Sequence, residues 1–128
     1  MPTKINTALR NEILSTIRNQ QPGTLKIYSG AQPASADDAA SGTLLLTISN
    51  IYLTAPSSGA VSLDGQYGPY QANASASGTA GWGRIEFGPL RIDGSVATSG
   101  AQFNLSSTAL GSGDPVTLQS CAITMPGV

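Results

Sequence analysis

The chain has 128 residues, 40% of them apolar and 10% charged, with a formal net charge of −1. That length suits one domain and can bury a core without metals or disulfides. Charge this sparse, against about 25% in an average domain, supplies no global field for nucleic acid or anionic lipid. With no histidine and a single cysteine, Ser-His-Asp and Cys-His catalysis, an intrachain disulfide and a Cys/His zinc site are all excluded.

Residues 4–19 read as the one amphipathic helix. Ile5, Leu9, Ile13 and Ile17 recur every fourth position, and Ala8 and Leu14 widen the stripe. Thr3 or Asn6 supplies an N-cap oxygen. Arg10, Glu12 and Arg18 fall on the opposite face, and Pro22-Gly23 ends the helix. The stripe needs a cover, either the chain's own sheet or another chain.

Beyond Gly23 the period changes to two. Residues 24–29 alternate and predict a half-buried strand, residues 30–42 an exposed loop, and residues 43–49 a strand buried on both faces that Ile51 and Tyr52 extend past a bend. A turn follows at 55–59. Val61 and Leu63 alternate, Asp64-Gly65 is a hairpin signal, and Tyr67 and Tyr70 flank Gly68-Pro69. Residues 72–77 carry little bulk and fit a flat strand or a loose loop. Residues 78–87 predict a strand around Trp82, and 90–92 another, punctuated by Gly88-Pro89 and Asp93-Gly94. Residues 103–105 are a short strand, 111–115 a tight loop, and 116–125 the clearest long strand before Pro126-Gly127. Seven to nine short strands and no second helix predict a mainly β chain: an antiparallel jelly-roll-like β-sandwich with one N-terminal amphipathic helix. The helix takes residues 1–22 and the sandwich residues 23–128 of a single domain.

Charge is unevenly placed. Residues 1–28 carry Lys4, Arg10, Arg18 and Lys26 against Glu12, a net +3, and residues 29–128 a net −4. The helix therefore presents either a solvated basic face or a docking element for an acidic partner. The N-terminus has no basic-then-apolar leader, and no apolar run reaches the ~18 residues that span a bilayer. A soluble chain made in the cytoplasm is expected, with no membrane and no nucleic-acid partner.

Few residues offer chemistry. Asp37-Asp38 sit on a loop too flexible for acid/base work. Glu86 and Asp93 approach each other if their strands pair, but Arg84 and Arg91 are alternative partners. Trp82 between two glycines is a core anchor or a stacking platform, and Cys121, in an apolar run, a small buried hydrophobe. The glycines make no phosphate loop, and no carboxylate spacing suits calcium. No catalytic, cofactor-binding or metal residue is assigned, and no small-molecule substrate.

The helix 5–14, the segment Gly-Thr-Leu-Lys-Ile-Tyr-Ser-Gly-Ala-Gln-Pro-Ala at 23–34, Gly-Thr-Leu-Leu at 42–45, Ala-Ser-Gly-Thr-Ala-Gly-Trp at 76–82, Arg-Ile-Asp-Gly-Ser-Val at 91–96, 98–108 and 116–126 follow one another in an order that resembles a family of small proteins encoded near the head genes of tailed bacteriophages. Some members are similar to capsid cement proteins of short-tailed phages. Residues 51–75 fall outside the resemblance. It implies a jelly-roll-like sandwich, paired as a homo-oligomer with a dimer favoured, that clamps neighbouring major capsid protein subunits on the outer surface of the virion. It carries no catalytic residues. A head–tail connector or tail-associated structural protein is the alternative, and a carbohydrate-binding module of a host-recognition structure another. The last predicts an exposed Trp82 with Tyr67 and Tyr70 nearby.

Overall fold

A computed structural model describes residues 4–124 of the chain. It holds one helix, α1 (Thr7–Arg18), and ten strands: β1 (Gly23–Tyr28), β2 (Leu44–Ile51), β3 (Ala60–Ser62), β4 (Tyr70–Asn73), β5 (Gly78–Thr79), β6 (Trp82–Phe87), β7 (Leu90–Ala97), β8 (Phe103–Leu105), β9 (Ala109–Leu110) and β10 (Pro115–Thr124). The main sheet runs β2-β1-β6-β7-β8-β10-β3, with β4 also on β10, and β5 and β9 form a separate pair. The protein is mainly β, and its sheet curls into a half-barrel. The curl brings β4 back towards β2: the Ser75 N–H and hydroxyl just beyond β4 both donate to the Leu45 carbonyl, at 2.8 and 3.3 Å.

The expected all-antiparallel sheet is corrected at one place. β7 and β8 pair in parallel, Val96 opposite Phe103 and Ala97 opposite Asn104. Parallel neighbours usually need a crossover of a dozen residues, but here residues 98–102 suffice. Gly100 turns at φ +73°. Asn104 then holds the loop, accepting from the Ala101 N–H at 2.9 Å and donating to its carbonyl at 3.1 Å.

Glycines set where strands break and where they run on. Gly88, at φ +61°, opens the two-residue turn that joins β6 to β7, as expected from Gly88-Pro89. Asp93-Gly94 does not punctuate, because β7 runs straight through it. A Cβ at Gly94 would lie 2.6 Å from the Gln102 Cγ and 3.1 Å from the Phe103 ring. Its glycine serves close approach, not a turn. Gly94 pairs with Gly83 across the ladder, and a Gly83 Cβ would also meet Phe103, at 3.0 Å. The ring thus fills the flat space over both. The strand expected over 78–87 is likewise divided. At Gly81 any side chain would overlap the Gly30 carbonyl oxygen, and residues 78–79 leave to pair with β9.

The core is one cluster. β1 and β6 contribute Leu25, Ile27, Ile85 and Phe87, β2 contributes Leu45, Leu46 and Ile48, and β8 and β10 contribute Phe103, Leu105, Val116, Leu118, Cys121 and Ile123. Leu45 and Leu46 are both buried as expected, although β2 lies at the end of the sheet order. Asn50, at φ +59°, makes the bend before Ile51 pairs with Gly23. Asp64-Gly65 is no hairpin: Asp64 caps a 3₁₀ turn over Gly65–Tyr67, and β3 and β4 each pair with β10 instead. Of the expectations at the chain ends, Thr3 as a cap and Met125 to Gly127 lie outside the described residues.

Candidate docking surface

Asn6 is the N-cap of α1, its Oδ1 accepting from the Leu9 N–H at 2.9 Å. The helix does pack on its own domain, with Leu14 and Ile17 in the core cluster. Yet the face turned inward is Arg10, Leu14 and Ile17, not the full stripe through Ile5, Leu9 and Ile13. Leu9 is 47% exposed.

Polar side chains explain the rotation. The irregular segment 52–59 brings backbone groups that need partners, and one side of α1 supplies them. Asn11 Oδ1 accepts from the Gly59 N–H at 2.9 Å, and the Arg18 Nε donates to the Leu53 carbonyl at 3.0 Å. Gln21, just past the helix, accepts from the Leu53 N–H at 3.0 Å. Turning this side inward swings the apolar stripe part-way out.

The basic helix face expected from the sequence is therefore corrected. Arg10 is buried, its Nη2 donating to the Thr7 hydroxyl at 2.9 Å, while its Nε has no hydrogen-bond partner among the described residues. Arg18 is turned to Leu53. What α1 offers instead is apolar. Ile13, Thr16 and Ile17 face Leu90, Arg91 and Ile92 of β7 across an open groove of about 400 Å³. Leu9 continues the stripe one turn earlier.

The outer face of β1, β6 and β7 carries most of the charge expected to do chemistry, and both of its carboxylates are paired, while Arg91 only approaches the Ala36 carbonyl at 3.5 Å. Asp93 grips Arg84 in two bonds, 2.7 Å to Nε and 2.9 Å to Nη2, with both side chains almost wholly buried. That bond raises the guanidinium pKa against the opposing cost of burial. Lys26 meets Glu86 at 2.9 Å, and its pKa is likewise raised, chiefly by that bond. Glu86 and Asp93 thus share a face but hold separate cations, so they form no acid pair. Arg84 lies 5.3 Å from the centre of the Trp82 ring, whose face stacks on Tyr28 at 4.8 Å and 15°. The Trp82 Nε1 donates to the Ser41 carbonyl at 3.2 Å. Fully buried, Trp82 is an anchor, and the exposed Trp82 expected of the carbohydrate-binding alternative is absent. Asp37 and Asp38 stay exposed on the loop over this face.

Tyr70 is buried too. Its hydroxyl lies 2.6 Å from the Asp64 carbonyl and 3.2 Å from that of Tyr52, and burial raises its pKa. Tyr67 remains 52% exposed and stacks on Tyr52 at 4.5 Å and 28°. The sequence groups Tyr67 with Tyr70 and gives no sign of Tyr52, which the neighbouring Leu53–Leu63 bridge brings alongside. Cys121 is buried, and desolvation pushes its thiol up to about 12. Among the described residues no cluster of His, Cys, Asp or Glu could hold a metal ion, and no helix is long and apolar enough to cross a membrane.

Compared with protein-family models, with curated proteins and with solved structures, the chain matches none.

Proposed function

We propose that this chain is a non-enzymatic structural protein of a tailed-phage virion, a cement or decoration protein that binds the major capsid protein on the outer surface of the shell. The observation that carries the docking reading is the groove between α1 and β7, where half of an apolar helical stripe is left outside the core. Leu9 is already about half covered and Ile13 more so, so covering the rest of each with protein would contribute about 1 kcal/mol per side chain. A contact of that size is modest alone and effective when repeated over a symmetric shell.

The resemblance in segment order supplies the virion and the capsid partner. Sparse charge fits a protein meant to lie against neighbours. The expected jelly-roll-like sandwich belongs to the same reading: the two arms of the curled sheet, β2-β1-β6-β7 and β8-β10-β3, face one shared core as the layers of a sandwich do. Pairing into a dimer is part of the proposal.

Quantitative mass spectrometry of purified virions tests it, by the ratio of this chain to the major capsid protein. A ratio within a small factor of one supports cement or decoration. A ratio matching a single symmetric ring assigns it to a connector or tail, and absence from virions overturns the proposal.

A further inference from the structure

We propose that Tyr67, backed by Tyr52, is a binding platform for one saccharide ring. This site is separate from the groove and stands whether or not the groove reading holds.

The geometry of the ring pair comes first. Tyr67 stacks on Tyr52 with ring centres 4.5 Å apart. Tyr52 covers one face, and 52% of Tyr67 remains exposed to solvent. An aromatic ring on a free loop would cost binding energy to order, but this one is held. The 3₁₀ turn Gly65–Tyr67 is capped by Asp64, whose Oδ1 accepts from the Gln66 N–H at 3.0 Å. The Asp64 N–H donates to the Tyr52 carbonyl at 3.0 Å, and the Tyr67 N–H to the Asp64 carbonyl at 3.3 Å. The buried Tyr70 hydroxyl donates to the Asp64 carbonyl at 2.6 Å and lies 3.2 Å from that of Tyr52, bracing the turn. Both aromatic rings and the turn are one preorganised unit.

The chemistry around the ring selects the ligand. A sugar presents an apolar C–H face and a rim of hydroxyls. Tyr67 offers a flat apolar face with electron density above it, and the turn that carries it adds the exposed Gln66 amide and the Asp64 carboxylate oxygen not held by the Gln66 N–H as partners for hydroxyls. A nucleotide base would stack as well, but its phosphate needs cations. Residues 49–73 contain no Lys or Arg. The arginines that reach this segment, Arg10 and Arg18, are turned to Thr7 and to the Leu53 carbonyl. Trp82, buried under Tyr28 and Arg84, takes no part.

The test is a titration of the full chain with maltotriose, triacetylchitotriose and lactose at millimolar concentrations, followed by NMR of the tyrosine ring signals. Tyr67 is expected to shift saturably with at least one of them while Trp82 does not move. Tyr67→Phe keeps the ring face and should bind within about twofold of the parent, and Tyr67→Ala should bind about tenfold more weakly. The emission of Trp82 checks that each variant is folded. No saturable shift with any of the three sugars overturns the proposal. So does a shift that survives in folded Tyr67→Ala, or a Tyr67 response to adenosine monophosphate or a proline-rich peptide with none to the sugars.

Discussion

Asp93→Ala is the substitution whose cost the structure fixes most sharply. Arg84 is 3% exposed, and Asp93 meets it with two charge-assisted bonds of 2.7 and 2.9 Å. Removing one partner of a buried pair leaves the other charge without compensation, at a cost of about 3–5 kcal/mol. The Trp82 ring 5.3 Å away offers the guanidinium only part of that back. Glu86, the other carboxylate on this face, is already held by Lys26. Urea unfolding read through Trp82, the single tryptophan, should therefore show a midpoint about 2–3 M lower if the slope is near ~1.5 kcal/mol per M. The double variant Arg84→Met/Asp93→Leu removes both charges and should recover to within about 1 kcal/mol of the parent. A loss below about 1 kcal/mol in Asp93→Ala, or a double variant no better than the single one, would refute the reasoning.

Gly94→Ala should destabilise by about 1–3 kcal/mol, because its Cβ would sit 2.6 Å from the Gln102 Cγ and press on Phe103; thermal unfolding checks it. Arg10→Met should raise the unfolding midpoint, since it removes a buried Nε that has no partner among the described residues and keeps the aliphatic volume. Cys121 should resist a thiol reagent at pH 8 in the folded protein. Its pKa is raised to about 12, so its contribution is complete below the unfolded value near ~9 and fades as pH rises towards 12, by at most ~1.4 kcal/mol per pH unit. Lys26 and Tyr70 are raised as well and act in the same alkaline direction. Denaturation curves at stepped pH should show this loss, and Cys121→Ala should flatten its first part.

Local rules made much of the fold legible. Asn6 caps the helix, Gly88-Pro89 turns a hairpin, and alternation marks β1 and β10. What the sequence hid depends on distant partners. The side of α1 that faces inward is decided by backbone groups at Leu53 and Gly59, some forty residues away, so the apolar stripe alone mislocated the buried face and made Arg10 look solvated. Gly94 reads as a turn beside an aspartate, and only the Phe103 ring lying against it shows that its smallness matters more than its flexibility. The parallel β7–β8 pair depends on Asn104 bonds to Ala101 that no periodicity reveals. As for candidate sites, Trp82 was legible as an anchor. The Tyr52–Tyr67 stack was not, because residues 51–75 have no regular period.

Docking on a capsid through the groove between α1 and β7 is proposed above and can be tested on this chain itself. The most direct measurement is the occupancy of Thr16→Glu and Leu9→Glu chains on purified capsids lacking the protein. Both positions are exposed, so the variants should fold, with Trp82 emission as the check. The parent should bind saturably, and each folded variant should lose about tenfold or more. Full occupancy by both folded variants, or no binding by the parent, would contradict the docking.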